Sequence, residues 1–133
     1  MKFRYKRFGN HLRPVIPIKI SYGNRSVEYN VLIDSGADSS IFDDRLAPLL
    51  GIDIATGTPA RVGGIAGQTA LYFIHPVKIE VGGWPIEMQV GFLPLPVGTF
   101  NYGVVGHEGF FEHFVVTFDL LKEEIELRQR KKS

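Results

Sequence analysis

The sequence predicts an all-β fold, and three observations carry that expectation. The 133 residues include 15 Gly and 8 Pro, enough to divide the chain into many short elements. The runs between these residues are β-rich and end on turn clusters. Only two short stretches, 42–50 and 107–114, read as helix. With 44% hydrophobic and 22% charged residues the chain is globular, and its length fits one domain spanning 1–133.

In chain order, Phe3 and Tyr5 alternate with Lys2, Arg4 and Lys6, so the first strand has one apolar and one basic face. VIPIKIS at 15–21 and SVEYNVLI at 26–33 flank the turn cluster Tyr22-Gly23-Asn24-Arg25 and form a first hairpin. FDDRLAPLL at 42–50 places Leu46, Leu49 and Leu50 at helical spacing with Gly51 as C-cap. From Pro59, ARV and QTALYFI surround GGIAG as a second hairpin, and PVKIEV and WPIEMQVGF flank Gly82-Gly83 as a third. An apolar, Pro-rich connection, LPLPVGTFNYG, leads to a short helix, HEGFFEHF, and then to the strands VVTFDL and EEIELR. In the last strand Ile125 and Leu127 alternate with Glu124 and Glu126, which suits antiparallel pairing with the basic first strand, within one chain or between two.

Several chemistries lack their signatures. There is no cysteine, hence no disulfide framework and no thiolate. His107-Glu108 with His113 resembles a zinc-protease helix only superficially, because a spacing of six turns the two histidines to different faces. His11 and His75 lie in unrelated segments, so no metal is expected. GGIAGQ is not followed by Lys-Ser/Thr, as a phosphate-binding loop requires, and no Gly-x-Ser-x-Gly elbow is present, although spacing alone leaves a Ser-His-Asp triad open. The net charge of +1 gives no reason to expect nucleic acid, despite basic residues at both ends. The basic start is followed by no apolar signal core and no stretch reaches membrane-spanning length, so the expectation is a soluble, cytoplasmic protein.

Three segments remain. Leu32-Ile33-Asp34-Ser35-Gly36-Ala37 resembles the active-site loop of the retropepsins, the single-domain aspartic proteases of retroviruses and their bacterial relatives. Val62-Gly63-Gly64-Ile65-Ala66-Gly67 is similar to the tip of their flap hairpin, and Val104-Val105-Gly106 to the element that crosses beneath the active-site loop. The order of the three is the family's, and the likeness runs from about residue 14 to 127. The resemblance implies an acid-protease barrel with a flap hairpin and one or two short helices, a peptide or protein substrate and no cofactor.

Aspartic proteolysis needs two carboxyls, one acting as general base on a water while its protonated partner polarises the substrate carbonyl. At a separation of about 3 Å two carboxyls cannot both ionise, and they share a proton. This chain has one such segment, with no second copy around Asp43, Asp44, Asp53 or Asp119. The resemblance therefore implies a homodimer in which each subunit supplies Asp34 across a two-fold axis. By the same likeness Ser35 bonds across the axis, and Gly36, Ala37 and Asp38 line the substrate's edge. Gly63, Gly64 and Ile65 close over the substrate, while Leu95, Val97 and Val104 wall apolar pockets. Val105 and Gly106 support the loop. Viral relatives carry Arg and then Asp or Asn where this chain has His107 and Glu108, and His107 is expected to pair with Asp38. A catalytically idle module that dimerises or binds peptides through the same cleft is the alternative.

Overall fold

The computed structural model describes residues 1–63, 67, 69–95 and 102–130. Its strands are β1 (Lys2–Arg4), β2 (Lys6–Phe8), β3 (His11–Arg13), β4 (Val15–Tyr22), β5 (Arg25–Ile33), β6 (Ile41–Asp43), β7 (Thr58–Gly63), β8 (Thr69–Val81), β9 (Trp84–Leu93), β10 (Gly103–Val105), β11 (Phe114–Asp119) and β12 (Glu124–Gln129). One α-helix, α1 (Leu46–Leu50), and a 3₁₀ turn, Ile54–Thr56, complete the regular structure among the described residues. The fold is all-β, as the composition and patterning predict.

Six strands close into a barrel in the order β4, β5, β10, β6, β9, β8, with β8 returning to β4 through Lys19↔Glu80, Ile20↔Ile79 and Ser21↔Lys78. Along β4, Ile16, Ile18 and Ile20 are buried between an exposed Pro17 and Lys19, the alternation of a strand with one wet face. These isoleucines join Val31, Ile33, Phe42, Ile79 and Phe92 in one cluster that extends to Phe110, Phe114, Ile125 and Leu127. Each such side chain stabilises the fold by about 1.5–3 kcal/mol when fully withdrawn from water.

The prolines show why the barrel tolerates so many of them. Pro17 precedes the part of β4 that pairs with β8, and Pro85 lies in the part of β9 that pairs only with β8. Pro76 falls in the gap between the β8 residues paired with β7 and those paired with β4. Each proline thus sits where its strand has a neighbour on one side only, so the missing N–H disrupts little.

This placement explains one departure from expectation. The arms QTALYFI and PVKIEV are not separate strands but one 13-residue strand, β8, whose first half pairs with β7 and whose second half pairs with β9. The β8–β9 turn has φ +56° at Gly82 and +83° at Gly83, the left-handed pair that a two-residue hairpin loop requires.

Helix α1 begins later than predicted, because Phe42 is fully buried in β6 and so belongs to the barrel. It ends as predicted, on Gly51 in the left-handed conformation. The expected helix over 107–114 is absent. Gly109 has φ +92°, and Glu112 Oε1 accepts its N–H at 2.6 Å, so the segment runs as consecutive turns. Outside the barrel, Gly9-Asn10 joins β2 to β3 as an additional hairpin at the basic start. The terminal strands pair within the chain, Lys2 opposite Glu126 and Arg4 opposite Glu124, and β11 completes that sheet. Among the described residues no helix is long and apolar enough to cross a membrane.

Candidate active site

Strand β10 lies between β5, to which it is parallel, and β6, to which it is antiparallel, with Val104 opposite both Leu32 and Ile41. The chain leaving β5 must pass over the end of β10 to reach β6. Residues 34–40 form that overpass, and Asp34 is its first residue. The Ile33 N–H is held by the Pro14 carbonyl at 2.9 Å and the Asp34 N–H by the Val105 carbonyl at 3.0 Å.

The carboxyl is oriented locally. Asp34 Oδ1 accepts the Gly36 N–H at 2.8 Å and the Asp34 carbonyl accepts the Ala37 N–H at 3.1 Å, so the Asp-Ser-Gly turn aims its own aspartate. A Cβ at Gly36 would stand 3.2 Å from that same oxygen. Asp34 is partly exposed, and Ser35, Gly36 and Asp38 are exposed, as an approach route for a ligand requires. The Ser35 hydroxyl has no hydrogen-bond partner among the described residues of its own chain.

The segment after β10 clamps the overpass from below. His107 N–H donates to the Ala37 carbonyl at 2.9 Å and Glu108 N–H to the Asp38 carbonyl at 2.8 Å. A Cβ on Gly106 would lie 2.4 Å from the Ala37 carbonyl oxygen and 2.8 Å from that of Ser39, so only glycine lets the two backbones approach this closely. Val105 is fully buried and Val104 half-buried.

His107 does not pair with Asp38. Its Nε2–H donates to the Ser35 carbonyl at 2.5 Å, and its ring stacks on Phe111 at 5.2 Å. The imidazole thus reaches back to the backbone of the overpass. Arg45 and Asp43 form an ion pair. The His113 ring, through Nδ1–H, donates to the Gly109 carbonyl at 2.8 Å. Among the described residues no three His, Asp or Glu side chains are placed to hold a metal ion.

Ser40 supports the overpass, a role that the sequence did not reveal. Ser40 is 2% exposed, and its hydroxyl donates to the Glu108 carbonyl at 3.0 Å and accepts the Gly106 N–H at 3.1 Å, joining the far end of the overpass to the clamp. Its partners lie 66 and 68 positions away, so no local pattern marks it. Ser40→Ala leaves the buried Gly106 N–H without an acceptor and is expected to destabilise the fold by about 1–3 kcal/mol in urea unfolding.

At the other end of β6, Asp43 is braced. Its N–H donates to the Tyr29 hydroxyl at 3.2 Å, and its carboxyl takes paired bonds from Arg45. Those bonds hold the Asp43 carboxyl below the usual carboxylate range against the opposing effect of burial, and burial pushes the Tyr29 phenol up to about 12. A depressed carboxylate contributes stability above its unfolded value of about 3.9 and loses it as pH falls through the lower folded value. The melting-temperature gap between the wild type and Arg45→Ala is therefore expected to be full near neutrality and to close as pH falls through the lowered folded value of Asp43.

The hairpin β7–β8 carries Gly63, exposed, and a Cβ there would meet nothing within 4 Å. Val62 and Leu71 stand exposed on its opposite faces, opposite Ala70 and Arg61 respectively. Leu95, partly buried, follows the end of β9. Gly64, Ile65 and Val97 lie outside the described residues.

Comparison with curated proteins found no match. The family model described as aspartyl protease matches residues 16–108, from β4 through the clamp at Glu108 and well over half of the chain. The match takes in the overpass, the β7–β8 hairpin and the crossing strand. The chain therefore belongs to an aspartyl protease family of the retropepsin-like clan.

Proposed function

We propose that this chain, as one domain over 1–133, is an aspartic endopeptidase that acts as a homodimer with one Asp34 from each subunit. The observation that carries the reading is the Asp34 carboxyl itself. It is partly exposed at the end of a barrel strand and fixed through one oxygen by Gly36, and the sequence offers no second copy of its segment. A two-fold axis beside this loop places the two carboxyls together, where they hold one proton between them. The ionised member takes a proton from a water as it attacks the peptide carbonyl, and the protonated member donates toward the carbonyl oxygen. The remaining steps pass protons between the same two groups, and no covalent intermediate forms.

The surrounding residues take supporting roles. Ser35, whose hydroxyl has no described partner in its own chain, bonds to the partner's backbone across the axis. Gly36 admits the substrate backbone, and Ala37 and Asp38 continue that edge. The β7–β8 hairpin, with Gly63, Gly64 and Ile65 at its tip, folds over the bound peptide as a flap and excludes water. Leu95, Val97 and Val104 wall the pockets, which favours apolar residues on either side of the cleaved bond. Incubation with a mixed peptide library at acidic and neutral pH tests this reading. Cuts between apolar residues are expected, and cuts confined to charged residues contradict the pocket assignment.

A further inference from the structure

We propose that His75 is a positioning residue for the β7–β8 hairpin. Its ring fixes how that hairpin leaves the barrel and thereby sets substrate affinity, an inference that rests on the protease reading above. Residues 69–72 of β8 pair only with β7, Phe73 and Ile74 pair with both β7 and β9, and from His75 onward β7 is gone. The hairpin is thus a cantilever, and His75 is the first residue on its fixed side.

The ring is built into that junction. His75 is 4% exposed, and its Nε2–H donates to the Ile54 carbonyl at 2.8 Å. The same carbonyl accepts the Gly57 N–H at 3.1 Å, so one oxygen ties the 3₁₀ turn that feeds β7 to the strand that carries β8. Gly57 leaves the space the ring occupies, since a Cβ there would stand 2.5 Å from His75 Nε2. The ring's other surroundings include Phe92, edge-on at 5.8 Å and itself buried in the barrel. On the opposite face of β8, Tyr72 fills the notch over Gly91, where a Cβ would lie 2.5 Å from its ring. The base of the hairpin is therefore pinned on both faces, and His75 supplies the polar bond.

A pinned base lets the hairpin meet a peptide already aligned, whereas a loosened one must be ordered at binding. The effect should thus fall on KM more than on kcat. The test uses His75→Phe, which keeps a ring and removes the donor, and His75→Gln, which keeps an N–H donor. Amide hydrogen exchange is read at 58–63 and 69–74 and compared with β4 and β5, and KM and kcat are measured on a cleaved peptide. His75→Phe is expected to speed exchange in the hairpin about tenfold, with β4 and β5 within about twofold of wild type, and to raise KM severalfold with little change in kcat. His75→Gln should recover most of both effects. Equal acceleration in β4 and β5, or unchanged hairpin exchange in His75→Phe, overturns the proposal, as does a fall in kcat at constant KM. If no protein cleaves any peptide, the protease reading fails, while the exchange contrast still decides the role of His75 in the hairpin.

Discussion

Asp34→Asn is expected to yield a folded protein whose kcat/KM for any cleaved peptide is lower by about 10³-fold or more, because the general base and the shared proton are lost together. The substitution isolates chemistry from structure. Among the described residues the one bond made by the Asp34 carboxyl is accepted from the Gly36 N–H, and an asparagine oxygen accepts it equally well. Urea unfolding should therefore place the variant within about 0.5 kcal/mol of the wild type. Cleavage at the original rate by the asparagine variant would remove Asp34 from the mechanism.

The largest structural effect is expected at Gly106. An alanine methyl there would lie 2.4 Å and 2.8 Å from two backbone carbonyl oxygens, which cannot step aside as a side-chain tip would. To make room the overpass must lift away from β10, stretching the bonds from Asp34 N–H to Val105, from His107 N–H to Ala37 and from Gly106 N–H to Ser40. Overpacking and lost buried bonds together should destabilise the fold by about 3 kcal/mol or more, a large share of the stability of a domain this size. Gly63→Ala, where a methyl meets nothing, serves as control and should change stability by less than about 0.5 kcal/mol in the same urea titration. Equal destabilisation by the two substitutions would show that the clamp is not a close-packed contact.

The alternation in 15–33 is visible in the letters because a strand with one wet face writes its burial every second residue, and Gly23-Asn24 marks the turn between its two arms. Gly51 ends α1 for an equally local reason. Where the deciding contact is distant, the letters carry less. Pro76 reads as a break between hairpins, and only the gap between the neighbours of β8 explains why the strand continues through it. The turn over 107–114 has the composition of a helix, and the backbone at Gly109 overrides that composition. Gly9-Asn10, by contrast, is a two-residue turn whose hairpin, β2 with β3, is signalled locally.

The candidate site divides in the same way. Asp34, Ser35 and Gly36 are legible because the turn that aims the carboxyl is built from its own neighbours. Gly106 is legible as part of a motif, and its close approach to Ala37 becomes apparent only when β5 and β10 lie side by side. Ser40, Tyr29 and His75 act through partners brought near by the closed barrel, and no spacing rule announces them. His107 likewise takes a contact that the letters do not show, since its ring bonds the Ser35 backbone rather than the Asp38 side chain.

The most direct measurement mixes wild-type and Asp34→Asn subunits at fixed total concentration, allows them to exchange, and follows peptide cleavage as the wild-type fraction is varied. If each active site needs Asp34 from both chains, only wild-type pairs cleave and the rate falls with the square of that fraction. A rate that falls in simple proportion would mean that each chain works alone, and would contradict a site assembled from two halves.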